Sequence, residues 1–371
     1  MFARVFSAAI IGVDAYIVEV ETDLEFRLPS MTTVGLAEGA VRESKERVTS
    51  ALKNAGFAIP QKRITFNLAP ADVRKEGAGF DLPMSIGILG AEGHIEQTAL
   101  DRVMMVGELS LDAMVRPVRG MLPIALAARK RGFEGIIVPR ENAPEAAVVE
   151  GISIYPVDSL REVYDYLTGS GTLSAYDHTS HDIFDRSFVS HPDFCEVKGQ
   201  EHVKRALEIA AAGSHNILMV GPPGSGKTML ARRLPGILPT MTMEEALETT
   251  KVHSVAGKTN ADSPLVTVRP FRDPHHTISE VALIGGGNYP RPGEVSLAHN
   301  GVLFLDELPE LGKRTIEVLR QPIEDGAVTI ARANYSVNFP ALCTLVAAMN
   351  PCPCGFRTDS TRECTCSPSY V

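Results

Sequence analysis

The sequence predicts an α/β protein of two successive units, the second built on a parallel sheet. Short apolar runs alternate with amphipathic helical stretches through residues 1–167, and again from Asp193 onward. Between them lies a stretch rich in Ser, Thr, Asp, His and Gly, residues 168–192, which reads as an interdomain linker. The decisive observation is a strand–loop–helix pattern. Ile217-Leu218-Met219-Val220 is followed by Gly221-Pro222-Pro223-Gly224-Ser225-Gly226-Lys227-Thr228, and then by Met229 to Leu234. That loop fills G-x-x-x-x-G-K-[ST] at every position. Its glycines let successive backbone N–H groups turn inward as an anion nest, and the helix that follows adds the partial positive charge of its N-terminus.

Taken in order, Ile10 to Val20 and Arg63 to Leu68 read as strands, and Ala37 to Asn54 and Pro123 to Arg131 as amphipathic helices. Ile136-Ile137-Val138-Pro139 reads as a buried strand, and Leu160 to Leu167 as the helix that closes the first unit. In the second unit (residues 193–371), His202 to Ala212 reads as a helix and Ile217 to Val220 as a buried parallel strand. Gly301 to Leu305 and Thr344 to Met349 are further apolar strands, ending at Asp306-Glu307 and Asn350. Asp325-Gly326, beside alternating residues, is a hairpin-turn signal. There is no internal repeat.

Composition bounds the function. A chain of 371 residues has room for two or three domains, and 44% hydrophobic with 22% charged residues is the balance of a soluble globular protein. No apolar run is long enough to cross a bilayer, and Met1 to Phe6 lacks the apolar core of a secretory signal, so a cytoplasmic location is expected. A formal net charge of −9 argues against a protein that coats nucleic acid passively. It leaves open a motor that is basic only where it grips.

The motifs carry definite chemistry. Lys227 suits the β- and γ-phosphates of ATP, and the Thr228 hydroxyl suits Mg²⁺. A strand that delivers an acid at its carboxyl end places it where ligands bind in open α/β sheets. Asp306 therefore suits the Mg²⁺ shell and Glu307 the polarisation of an attacking water. Asn350, at the end of the next strand, is placed to orient that water or touch the γ-phosphate. Cys352, Cys354, Cys364 and Cys366 form C-x-C-x₉-C-x-C, four thiols able to close a tetrahedral Zn²⁺ site or to remain free or redox-active. Arg357 and Arg362 lie within that stretch, as candidates for contact with a phosphate backbone. Cys195 and Cys343 stand apart, Cys343 in an apolar strand. His275 and His276 are adjacent, an arrangement poorly suited to one metal ion without further ligands.

Together Lys227, Thr228, Asp306, Glu307 and Asn350 resemble the Walker motifs and first sensor of the AAA+ ATPases. Val197-Lys198-Gly199-Gln200 is similar to the segment that borders the adenine there, so Val197 and Gln200 join residues 221–228 and Met229 as expected nucleotide contacts. Two inserts resemble the helix-2 loop and presensor hairpin of the clade that includes magnesium chelatases and MCM helicases. One runs from Pro270-Phe271-Arg272-Asp273-Pro274-His275-His276 through Gly285-Gly286-Gly287 to His299; the other spans Leu319 to Arg332. In that clade the inserts face a ring's pore, which makes Arg332 a candidate phosphate contact or, alternatively, a plain surface arginine. With Asn350-Pro351-Cys352-Pro353-Cys354-Gly355, the chain resembles the YifB/ComM family along essentially its whole length. The resemblance implies an ATP-hydrolysing homo-oligomeric ring, expected as a hexamer, that acts on DNA as a branch-migration helicase. It also implies an arginine finger, a second sensor and a helical lid beyond Val371. The alternatives are a chelatase-type ATPase driving metal insertion, or a nucleotide-switched binding module.

The first unit resembles the proteolytic domain of Lon and the second domain of ribosomal protein S5. The resemblance rests on Val73 to Gly79, on Gly107-Glu108-Leu109-Ser110-Leu111, and on Pro123 to Asn142. That protease uses a Ser-Lys dyad. Aligned on these landmarks, the nucleophile position falls on Gly79 and the base position on Leu122, so the resemblance implies a fold without peptidase chemistry. Ser85 is the nearest alternative hydroxyl.

Overall fold

The computed structural model describes residues 1–36, 39–71, 73, 75, 77–177, 192–287, 289–332, 335–357 and 362–367. It divides into two compact units, Met1–Ile183 with Ser254–Leu265, and Phe184–His253 with Val266–Val371. Both are α/β, as the sequence predicts.

The first unit is organised by strands β1 (Phe2–Ile11), β2 (Asp14–Glu25), β3 (Ser30–Val34), β4 (Arg63–Ala69) and β5 (Val103–Met105). A small two-stranded piece follows, β6 (Glu108–Leu109) with β7 (Val115–Arg116), then β8 (Gly135–Pro139) and β9 (Ser153–Val157). The main sheet runs β3-β4-β2-β1-β5-β8-β9. β1, β2 and β4 pair antiparallel; β1-β5, β5-β8, β8-β9 and β3-β4 pair parallel. The single strand expected over Ile10 to Val20 is instead a hairpin. Gly12 takes φ +63° in the two-residue connection that pairs Ile11 with Asp14, a conformation glycine adopts without penalty.

Helix Asp81–Ala91 lies directly on β1 and β2, ten of its eleven residues buried. Gly87 makes that approach possible, because a Cβ there would stand 2.3 Å from Thr22 Oγ1. Inside the same core, Asp81 is fully buried and accepts from Arg47 Nε (2.6 Å), Arg47 Nη2 (3.1 Å) and the Leu109 amide (3.2 Å). The helices Gly39–Asn54, Met121–Arg131 and Leu160–Leu167 lie within about two residues of their expected positions, with residues 37 and 38 outside the described set.

The segment Ser254–Leu265 belongs to this first unit although it lies inside the span expected for the second. Ser254 accepts the Gly120 N–H through its carbonyl. Buried Glu145 accepts from the Leu122 amide (2.8 Å), the Thr259 hydroxyl (2.8 Å) and the Ser254 hydroxyl. No local sequence signal marks this exchange.

The second unit carries β10 (Ile217–Val220), β11 (Phe271–Arg272), the short pair β12 (Gly285–Gly286) and β13 (Arg291–Pro292), β14 (Val302–Leu305), the hairpin strands β15 (Ala327–Arg332) and β16 (Tyr335–Pro340), and β17 (Thr344–Met349). Its main sheet is wholly parallel, ordered β10-β17-β14-β11. β14 is buried along its length, as its unbroken apolar run requires, and burying a side chain such as Phe304 contributes about 1.5–3 kcal/mol. β10 differs from expectation. Among the described residues it pairs only with β17, and as an edge strand it leaves Leu218 and Val220 about half exposed.

Asp325-Gly326 also differs. Asp325 ends the helix Arg320–Asp325 and Gly326, at φ +65°, is its left-handed C-cap; the hairpin lies farther on, its last strand pair being Arg332 with Tyr335. Cys343 precedes β17 rather than lying in a strand, and burial pushes its thiol up to about 12. Among the described residues no helix is long and apolar enough to cross a membrane.

Candidate nucleotide site

A parallel sheet sets all its strand carboxyl ends along one edge. Here that edge brings Gly221 (after β10), Asn350 (after β17) and Asp306 (after β14) side by side. The phosphate loop, Asp306, Glu307, Met349 and Asn350 line a cavity of about 420 Å³. Gly224 and Gly226 take φ +77° and +85°, the left-handed turns that the loop requires. The helix after the loop is short, Lys227–Ala231, and a 3₁₀ turn at Leu234–Ile237 replaces the continuation expected through Leu234.

The side chains in this cavity are already engaged with one another. Lys227 Nζ donates to the carbonyls of Gly221 (2.8 Å) and Pro222 (3.1 Å) and to Asn350 Oδ1 (3.2 Å). The Thr228 hydroxyl donates to Asp306 Oδ2 at 2.7 Å. Asp306 Oδ1 accepts the Glu307 amide at 2.9 Å, and Glu307 holds φ +49°, a left-handed backbone that costs a non-glycine residue about 1–3 kcal/mol. Ser225 Oγ is buried with no hydrogen-bond partner among the described residues. A buried donor left open is costly, so the loop is built to receive an acceptor that no described residue supplies. This donor set fits a polyphosphate bound with Mg²⁺: two hard oxygens at Thr228 and Asp306, one ammonium at Lys227, and an open hydroxyl at Ser225.

Gln200, itself at φ +57°, reaches the loop through Nε2 to the Ser225 carbonyl (3.1 Å). Val197 is buried in the core of this unit, beside Leu230 and Ala231. Its segment is tied down by Arg233, which pairs with Glu196 (2.5 Å) and donates to the Asp193 carbonyl (2.9 Å).

One residue missed as a site member is His276. Its Nδ1 lies 2.9 Å from Glu307 Oε2, and its ring stacks on His275 at 4.1 Å. His275 Nδ1 pairs with the Thr277 hydroxyl. The contact to Glu307 arises because β11 is the neighbour of β14, a long-range pairing that no local pattern announces.

The four cysteines converge. Their Sγ atoms all lie within 4.8 Å of one another, the one group of three or more potential metal-ligating side chains among the described residues. Hydrogen bonds from the backbone N–H groups of Phe356 and Thr365, reinforced by the neighbouring Cys352, pull the Cys354 thiol down to about 6. Arg362 stacks over Phe356 at 4.9 Å, and Arg357 is exposed. Arg332 is the last residue of β15; its side chain lies outside the described residues.

In the first unit, neither position aligned with the Lon dyad carries a reactive side chain. A Cβ at Gly79 would meet Val118 Cγ1 at 3.5 Å, and Leu122 is fully buried. Ser85 is fully buried, its hydroxyl donating to the Asp81 carbonyl (2.9 Å), which removes it as a nucleophile. Lys75 is buried too, its amine donating to the carbonyls of Pro70 and Val73.

Comparison with known proteins identifies the family. A family model described as magnesium chelatase, subunit ChlI, matches residues 193–371, and a second, subunit ChlI of Mg-chelatase, matches residues 20–142. The chain is 48% identical over 357 residues to the competence protein ComM of Haemophilus influenzae, covering 96% of this chain and 70% of that one. It belongs to the YifB/ComM family of magnesium-chelatase-like AAA+ ATPases. With YifB of Escherichia coli it shares 45% identity over 363 residues, 97% of this chain and 70% of the relative. A partial likeness, 30% over 138 residues, links it to Lon protease 2 of Bacillus subtilis, covering 37% of this chain and 24% of that protease. The recognition made from Asn350 to Gly355 and from the Lon-like landmarks agrees with these likenesses.

Proposed function

We propose that this AAA+ ATPase is the motor of a homo-oligomeric ring that remodels branched DNA with ATP. The observation that carries the reading is the convergence of Lys227, Thr228, Asp306, Glu307 and Asn350 at one edge of a parallel sheet. The β12-β13 and β15-β16 inserts belong to the same unit. The name of the Haemophilus relative, a competence protein, supports a role in handling DNA.

Bound Mg²⁺ would neutralise phosphate charge, held by Thr228 Oγ1 and Asp306. Lys227 would exchange its loop carbonyls for phosphate oxygens and free the Asn350 amide to face the γ-phosphate. Glu307, directed by His276, would take the proton of the attacking water. The four-cysteine cluster takes a structural Zn²⁺, and Arg332, Arg357 and Arg362 face the nucleic-acid backbone. The ring is expected to be a hexamer.

The test is displacement of a labelled strand from a four-way DNA junction by the full-length protein. Displacement should require ATP and vanish in Lys227→Ala. ATP hydrolysis indifferent to DNA would contradict the motor, and stimulation by a porphyrin alone would point to metal insertion.

A further inference from the structure

The cysteine cluster lies against the phosphate loop. Three of its inter-sulfur distances are 3.4 Å (Cys352–Cys354), 3.6 Å (Cys354–Cys364) and 3.7 Å (Cys352–Cys364). A disulfide needs about 2.05 Å. Four thiolates about 2.3 Å from a tetrahedral ion stand about 3.8 Å apart, so this spacing suits an ion and not a covalent bond. The Cys354 amide donates to Cys366 Sγ at 3.3 Å, which ties the two C-x-C pairs together.

The first pair begins two residues after Asn350, whose side chain holds Lys227. The turn it closes, Gly355 N–H to Cys352 carbonyl at 2.9 Å, then lands on the loop itself. Gly355 takes φ +82°, and a Cβ on it would stand 2.4 Å from Pro223 Cδ and 2.7 Å from Pro223 Cγ. Nothing larger than glycine fits between the knuckle and the phosphate loop.

We infer that Cys352, Cys354, Cys364 and Cys366 bind one Zn²⁺ whose role is to clasp the phosphate loop, holding Asn350 on one side of it and Gly355 against Pro223 on the other. Soft thiolates in a closed four-ligand set select zinc over hard cations such as Mg²⁺. The effect on nucleotide rests on the ATP-binding reading above; the metal site and the clasp do not. Coupling between sites is reciprocal, so zinc should tighten nucleotide binding and nucleotide should tighten zinc by the same factor.

Elemental analysis of the full-length protein should find one zinc per chain, lost in a Cys364→Ser, Cys366→Ser double variant. Removing zinc should weaken a fluorescent ATP analogue about tenfold and speed hydrogen exchange of the Gly221–Lys227 amides in nucleotide-free protein. Gly355→Ala should show the same two changes, because its Cβ meets Pro223; its left-handed φ also strains the knuckle turn, so zinc retained in this variant is the control that assigns the changes to the contact with the loop. Protein without zinc overturns the site. Zinc present, with loop exchange and analogue affinity unmoved by its removal, overturns the clasp. Lys227→Ala should lose the analogue and keep zinc. If the unmodified protein fails to bind the analogue while zinc removal still loosens the loop, the ATP-binding reading falls and the clasp stands.

Discussion

The two units of this chain treat the positions where chemistry could sit in opposite ways. In the first unit, the positions aligned with a peptidase dyad are Gly79 and Leu122, one without a side chain and one buried, and the neighbouring Ser85 spends its hydroxyl on its own helix. In the second, the carboxyl edge of the parallel sheet keeps Lys227, Thr228, Asp306, Glu307 and Asn350 around an open cavity, with a Ser225 hydroxyl that has no partner among the described residues and a left-handed Glu307. The aligned pair in the first unit offers no reactive side chain; the second site keeps Glu307 in a left-handed backbone beside a cavity lined by polar side chains. Reactive sites are where a fold tolerates local cost, and the left-handed Glu307 sits at such a place.

The largest expected effect comes from disarming the second unit. Glu307→Gln should lower ATP hydrolysis about 100-fold or more while nucleotide binding persists, read by steady-state hydrolysis against analogue binding. Retained hydrolysis would show that another group activates the water. The counterpart in the first unit is structural. Arg47→Ala strands the buried Asp81 carboxylate and should cost about 3 kcal/mol in urea unfolding of that unit, with ATP affinity unchanged. A loss of ATP binding there would break the separation drawn between the units.

A smaller effect is expected at His276, whose Nδ1 lies 2.9 Å from the Glu307 carboxylate. His276→Ala should lower kcat about tenfold with little change in KM, since Glu307 loses the group that directs it and the substrate contacts remain. An equal change in KM would mean that His276 acts on binding.

The smallest concerns pH. His299 is buried, its Nδ1 accepts the Leu342 N–H (3.1 Å), and its Nε2 lies 3.2 Å from Glu248. Burial lowers its pKa below the usual 6.5 despite Glu248, so the unfolded chain takes up the proton first. The stability this confers is present above about pH 6.5 and is lost as pH falls below it. The Tm of the second unit should therefore drop slightly on mild acidification, and His299→Gln should flatten that slope. An unchanged slope would assign it to other groups.

What the sequence made legible follows from the range of each interaction. The phosphate loop, the apolar run into Asp306-Glu307 and the C-x-C pairs are contiguous, so their chemistry is readable in place. Ile10 to Val20 misled because the run is apolar on both sides of Gly12, and only the pairing reveals a turn. Asp325-Gly326 misled because glycine serves a helix end as readily as a hairpin. The His276–Glu307 contact, the Ser254–Leu265 exchange and the Gly355–Pro223 approach join residues far apart in sequence, and they depend on strand order or on packing that no periodicity encodes.

The proposal stands or falls on whether ATP hydrolysis at the second unit's site is coupled to DNA. ATP hydrolysis by the full-length protein, measured with and without a four-way DNA junction and repeated with Glu307→Gln, tests it most directly. Hydrolysis should rise with the junction and collapse in the variant. Hydrolysis that ignores DNA, or that survives Glu307→Gln, would contradict it.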